Sequence, residues 1–106
     1  MGFQLGSALL DACVLAILAK EDAYGYSLTQ QVREVMDISE STLYPVLRRL
    51  QKGNYLSTYD QPFQGRNRRY YRITDLGRVK YEELLKEWTE YKEKIEHVLM
   101  GGLNDE

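Results

Sequence analysis

Hydrophobic positions crowd the N-terminal segment with almost no polar alternation, and "SALLDACVLAILAK" (7–20) is apolar around most of a helical circumference. A helix of that kind is buried on nearly all sides, in a core or at a subunit interface. "EDAYGY" breaks the run, with Gly25 as the punctuator. In "YSLTQQVREVM" (26–36), Leu28, Val32 and Val35/Met36 fall at helical spacing and predict a second, amphipathic helix. A third is expected from about residue 40 to 52, where Leu43, Val46, Leu47 and Leu50 follow the i, i+3, i+4, i+7 template. Ser39 is a good N-cap, Glu40 suits the first turn, and Gly53-Asn54 supplies the stop. Pro45 denies the Ser41 carbonyl its helical donor and should bend the axis, but the apolar period continues past it.

The period then changes from helical to alternating. "YLSTYD" (55–60) and "RYYRIT" (69–74) predict two antiparallel strands, and "QPFQGRNR" between them, with Pro62 and Gly65, predicts a projecting loop. From Thr74, a plausible cap, to about Met100 the chain is helical again, stopped by Gly101-Gly102. Such a helix is about 37 Å long.

Helices two and three, joined by a short link around residues 37–39, form a helix-turn-helix, and two strands with a basic loop directly after it make a winged helix. The expected fold is mainly α with a two-stranded β wing. A winged helix-turn-helix domain fills residues 1–74, and a long C-terminal dimerisation helix with a short tail fills 75–106. Along that last helix Tyr81, Leu84, Trp88, Tyr91, Ile95 and Val98 form an a/d heptad seam. With Leu10 and Val14 of the first helix it is the expected interface of a symmetric homodimer.

At 106 residues, 43% hydrophobic and 28% charged, the chain has room for one compact domain and is too apolar for disorder. The single cysteine, Cys13, excludes an internal disulfide and reads as a small buried apolar residue in a reducing compartment. The first apolar run is interrupted by Asp11, is too short to span a bilayer and lacks the flanks of a signal peptide. A cytoplasmic protein without membrane contact is expected, with Asp11 as a capped or interface-paired carboxylate rather than a catalytic acid. His97, the only histidine, has no ligand constellation around it, and no phosphate loop or nucleophile motif appears. Neither a metal, a cofactor nor an enzymatic activity is expected.

Charge changes the picture most. The net charge is -2, yet residues 38–74 hold seven basic and only two acidic side chains, between two acidic flanks. Arg66, Arg68, Arg69 and Arg72 place four arginines within seven residues of a tyrosine-rich stretch. Only Asp60 and Asp75 flank them, so their counter-charges are expected on a partner. With the four apolar residues of helix three turned inward, Ser41, Tyr44, Pro45, Arg48 and Lys52 face outward, with Thr42 and Arg49 at the edge. Hydroxyls and cations fix phosphates, and arginine reads guanine edges. Ser41, Thr42, Tyr44, Arg48, Arg49 and Lys52 are therefore the candidate contacts to double-stranded DNA in the major groove. Arg66, Arg68 and Arg69 are the candidates for phosphate or minor groove. The bland alternatives are a solvated helix face, and arginines paired with the acidic terminal helix. A rival of another class is a protein-interaction module whose basic face docks an acidic partner.

Three segments carry a resemblance to a known family: "VLAILAKEDAYGYSL", "STLYPVLRRLQKGNYL" and "GRNRRYYRITDLGR". Together they make the chain similar, over essentially its whole length, to the PadR family of bacterial transcriptional regulators. The resemblance implies a homodimeric winged-helix repressor with the third helix as DNA reader. A single C-terminal helix resembles the small subgroup of that family, which includes multidrug-responsive regulators. By that resemblance Trp88 would line a pore for a small aromatic or drug-like effector. Plain packing in the dimer interface is the other reading of the same residue.

Overall fold

In the computed structural model, which describes residues 5–101, seven elements follow one another. They are α1 (Leu5–Lys20), β1 (Ala23–Tyr24), α2 (Gly25–Arg33), α3 (Glu40–Lys52), β2 (Leu56–Phe63), β3 (Arg66–Ile73) and α4 (Asp75–Leu99). Helix α1 is apolar on most sides because α2, α3, β3 and α4 all pack against it. Leu10, Val14, Leu15 and Leu18 are buried there beside Leu28 and Val32 of α2 and Leu43, Val46, Leu47 and Leu50 of α3. Burying each such side chain is worth about 1.5–3 kcal/mol.

The caps expected from sequence form. The Thr42 amide donates to Ser39 Oγ (3.3 Å) and the Gly77 amide to Thr74 Oγ1 (2.9 Å). Helix α3 runs through Pro45 and ends with Asn54 in the left-handed region (φ 68). There the Tyr55 amide reaches the Leu50 carbonyl and the Asn54 amide that of Gln51, which is a Schellman motif. Helix α2 stops at Arg33, earlier than its apolar spacing predicts, so the turn spans 34–39 and Val35 is 72% exposed.

The sheet departs from expectation in two ways. It has three antiparallel strands in the order β1-β3-β2, because Ala23 and Tyr24 pair with Tyr71 and Tyr70. The expected loop 61–68 is also mostly strand. Pairing runs from Leu56↔Ile73 to Phe63↔Arg66 and leaves only Gln64 (φ 53) and Gly65 (φ 79) as a two-residue turn. Two consecutive left-handed residues give the type I′ turn, whose twist matches that of the strands. Pro62 is tolerated because β2 is an edge strand.

The dimer-interface expectation needs one correction. Leu10, Val14 and Leu84 are 5%, 0% and 4% exposed, so the protomer's own core takes them up and they offer no surface to a partner. Tyr81, Trp88 and Tyr91 are half-buried against that core. Residues 92–100 are exposed throughout, with Ile95 at 40% and Val98 at 52%. The uncovered part of the seam is thus its C-terminal half, where α4 projects and stretches the molecule to 66 Å against 27 and 21 Å. Among the described residues no helix is long and apolar enough to cross a membrane.

Candidate nucleic-acid interface

The outward face of α3 is as the helical period requires. Ser41, Thr42, Tyr44, Pro45, Arg48, Arg49 and Lys52 are all exposed, opposite the four buried apolar residues. The Ser39 hydroxyl gathers those of Ser41 (2.8 Å) and Thr42 (3.2 Å), which orders the polar end of the face. Arg48 and Lys52 make no ion pair among the described residues. Arg49 does: it bonds Asp11 of α1 bidentately, Nη2 to Oδ1 at 2.8 Å and Nη1 to Oδ2 at 3.0 Å. That hydrogen bonding holds the Arg49 guanidinium even more firmly in its charged form.

The wing arginines divide between the two faces of β3. Tyr71 and Ile73 are buried, which fixes their side of the strand as the inner one and places Arg69 with them by alternation. Arg66, Arg68, Tyr70 and Arg72 lie on the outer side. Arg66 is exposed and makes no ion pair among the described residues. Arg69 meets Asp60 at 3.7 Å, with both side chains more than half exposed, a contact worth well under 1 kcal/mol. Arg72 pairs with Asp22 (3.3 Å), which also accepts the Tyr59 hydroxyl (2.6 Å). Arg68 lies over two rings, 4.1 Å from the Tyr24 centroid and 3.6 Å from that of Phe63. The internal counter-charges are therefore Asp11, Asp22 and Asp60, not the acidic terminal helix.

Tyr71 links the wing to α3. A side chain on Gly25 would lie 3.7 Å from the Tyr71 ring and 4.0 Å from that of Tyr44, so the two rings flank the start of α2. Burial pushes the Tyr71 phenol above its usual pKa of 10.0, with Arg69 pulling it down, Tyr44 raising it and Arg48 pulling it down. Tyr71 of the inner wing and Tyr44 of α3 thus meet at the same end of α2. The unfolded chain loses the Tyr71 proton first as pH rises. The phenol's contribution to stability is accordingly complete below about pH 10 and is lost as pH climbs through the higher folded-state value. Urea midpoints at rising alkaline pH should show that loss, and Tyr71→Phe should lessen the fall.

Sequence reasoning missed Tyr24 and Phe63, which hold the nominated Arg68, and Tyr59 and Asp22, which hold Arg72. The signal was present as an excess of tyrosine, nine in all, but its ordering was not. Tyr59 stacks on Tyr70 at 5.4 Å and 12°, and Tyr70 meets Tyr24 at 5.8 Å. Elsewhere, Leu9, Ala12, Cys13 and Ala16 of α1 and Tyr81, Leu85 and Trp88 of α4 line an apolar cleft of about 170 Å³. Burial there pushes the Cys13 thiol up. Among the described residues no cluster of His, Cys, Asp or Glu could hold a metal ion.

A helix-turn-helix with an exposed cationic face beside an arginine-bearing hairpin defines a winged-helix regulator of the DNA-binding class. The chain belongs to the PadR-like family of transcriptional regulators, whose family model matches residues 14–83. Members of that family are DNA-binding regulators, not enzymes. A crystal structure from Streptococcus mutans is 44% identical, covers 95% of both chains and superposes with a TM-score of 0.86. A PadR-like transcriptional regulator from Bacillus cereus is 31% identical over 88% of this chain and 93% of its own, with a TM-score of 0.80. The Bacillus subtilis PadR in complex with operator DNA shares the fold at 21% identity and a TM-score of 0.66, over 73% of this chain and 46% of its own.

Proposed function

We propose that the chain is a homodimeric repressor that reads a pseudo-palindromic operator, with α3 in the major groove and the β2–β3 wing on phosphate or in the minor groove. The observation that carries this reading is an exposed run of basic and hydroxyl side chains in an acidic chain. Ser41, Thr42, Tyr44, Arg48 and Lys52 stand exposed on α3, and the wing adds Arg69 on its inner side and Arg66 on its outer side beside the turn. Arg49 and Arg68, nominated with them by sequence, take supporting parts, since Asp11 and two aromatic rings already hold them. The exposed apolar end of α4, with Ile95, Val98, Leu99 and Met100, favours a second copy as its cover. Two readers in such a dimer meet half-sites about one helical turn apart. An operator-bound Bacillus subtilis relative is a precedent for the architecture on DNA.

The apolar cleft at Trp88 supports a second, compatible part of the reading, in which a small flat aromatic effector seats against that ring and releases the operator. Effector and operator affinities are then reciprocally coupled.

The test is a fluorescence-anisotropy titration against the gene's own upstream DNA, with a scrambled competitor and two salt concentrations. Specific, salt-sensitive binding at two chains per duplex is expected. Arg66→Ala/Arg69→Ala removes two cations from each of the two chains and should lower the salt slope by about 3.6, roughly 0.9 for each phosphate no longer neutralised. Weak binding indifferent to sequence and to the substitutions would instead move the basic face to an acidic protein partner.

A further inference from the structure

The wing tip has little to hold it. Strand β1 pairs with β3 only at Tyr70 and Tyr71, so from Arg69 outward the wing is a two-stranded hairpin. Residues 60–67 are all exposed, and a lone two-stranded hairpin is marginally stable. Arg68 is the half-buried residue on this stretch. Its guanidinium carbon lies 4.1 Å from the centroid of Tyr24 and 3.6 Å from that of Phe63. Tyr24 belongs to β1 and is the N-cap residue of α2, while Phe63 is the last residue of β2 before the turn. One planar cation therefore reaches from the body of the domain to the tip of the wing. Tyr24 is itself packed against Tyr70 (5.8 Å) and Tyr26 (6.4 Å), so the inner anchor is firm. No carboxylate pairs with Arg68 among the described residues, which leaves ring contact as its main engagement.

We infer that Arg68 is a positioning residue: held between Tyr24 and Phe63, it sets the angle at which the wing delivers Arg66 and Arg69 to DNA, and it contacts no phosphate itself. The consequence for DNA rests on the function proposed above, whereas the clamp belongs to the free protein. A guanidinium plane can cover an aromatic ring over its whole face, and an ammonium cannot, so Lys is a poor substitute even though it keeps the charge.

Two measurements test this on the full chain. In the free protein, amide hydrogen exchange of the β2–β3 tip should quicken in Arg68→Lys and in Phe63→Leu. Removing one cation–π interaction shifts a local opening equilibrium by about fivefold. Both positions lie on the surface, so circular dichroism should remain at wild type. On operator DNA, each variant should weaken binding by about fivefold with the salt slope unchanged, and the double variant should be no weaker than either single one. Unchanged exchange in both variants overturns the clamp. Wild-type affinity in Arg68→Lys and Phe63→Leu, with Arg68→Ala lowering the salt slope by about 1.8 for the two chains, makes Arg68 a phosphate contact and overturns the inference. If exchange responds while the wild-type protein binds no operator, the clamp is upheld, and its DNA role falls with the DNA-binding reading.

Discussion

Gly77→Ala should destabilise the protein by about 3 kcal/mol, although alanine is ordinarily the better helix former by about 1 kcal/mol. Gly77 lies in the first turn of α4 and is buried. Its amide donates to Thr74 Oγ1 (2.9 Å), and that hydroxyl donates to the Asn54 carbonyl (2.6 Å). The Thr74 amide also donates to the Tyr55 carbonyl (3.1 Å). These bonds draw the end of α3 onto the start of α4, and the absent side chain makes room for it. An added Cβ would fall on the Tyr55 carbonyl oxygen, well inside contact distance, and 2.8 Å from Ile73 Cγ1. Tyr55 cannot retreat, because its own amide closes the Schellman motif on Leu50 (2.9 Å). Either that motif or the Thr74 cap must open, each costing about 1 kcal/mol beyond the overpacking itself. For a domain of this size the melting temperature should drop by roughly 15 °C, measurable by circular dichroism. A melting temperature equal to or above wild type would mean that the two backbones are not locked together.

What was legible in the sequence is what short-range periodicity encodes. Leu43, Val46, Leu47 and Leu50 announce the buried face of α3, and its exposed face follows by subtraction. Ser39 and Thr74 are legible as caps because the amides they bind lie only three residues on. Strand β1 is invisible for the opposite reason, since two residues carry no period. The hairpin turn was obscured by Pro62, which reads as a breaker until β2 is known to be an edge strand. The apolar character of Leu10, Val14 and Leu84 says that something covers them, but not whether it is the same chain or a second one. The arginine partners were hidden by distance. Neighbouring residues offered Asp60, whereas Asp22 is 50 positions from Arg72 and Asp11 is 38 from Arg49.

The Asp11–Arg49 pair should respond unequally to losing its two halves. Asp11 has only 9% of its side chain exposed, and Arg49 has 52%, so desolvation falls almost wholly on the carboxylate. Its two oxygens are satisfied by the guanidinium fork, at 2.8 and 3.0 Å. Arg49→Ala strands a buried anion and should cost about 2–3 kcal/mol, within the range for a charged group left without its partner. Asp11→Ala releases a guanidinium that water can reach and should cost only about 1 kcal/mol. The double variant has no stranded anion, so it should be more stable than Arg49→Ala alone, with a coupling of about 1–2 kcal/mol. Urea denaturation of the four proteins measures this directly. Equal single costs that simply add would show that Arg49 contributes nothing to holding Asp11. The pair also ties together two parts of the function proposed above. Ala12 and Cys13, the residues after Asp11, line the cleft beside Trp88, while Arg49 sits on α3 next to Arg48. On that reading, loosening the two-bond link between α1 and α3 should weaken the coupling between effector and operator along with the stability.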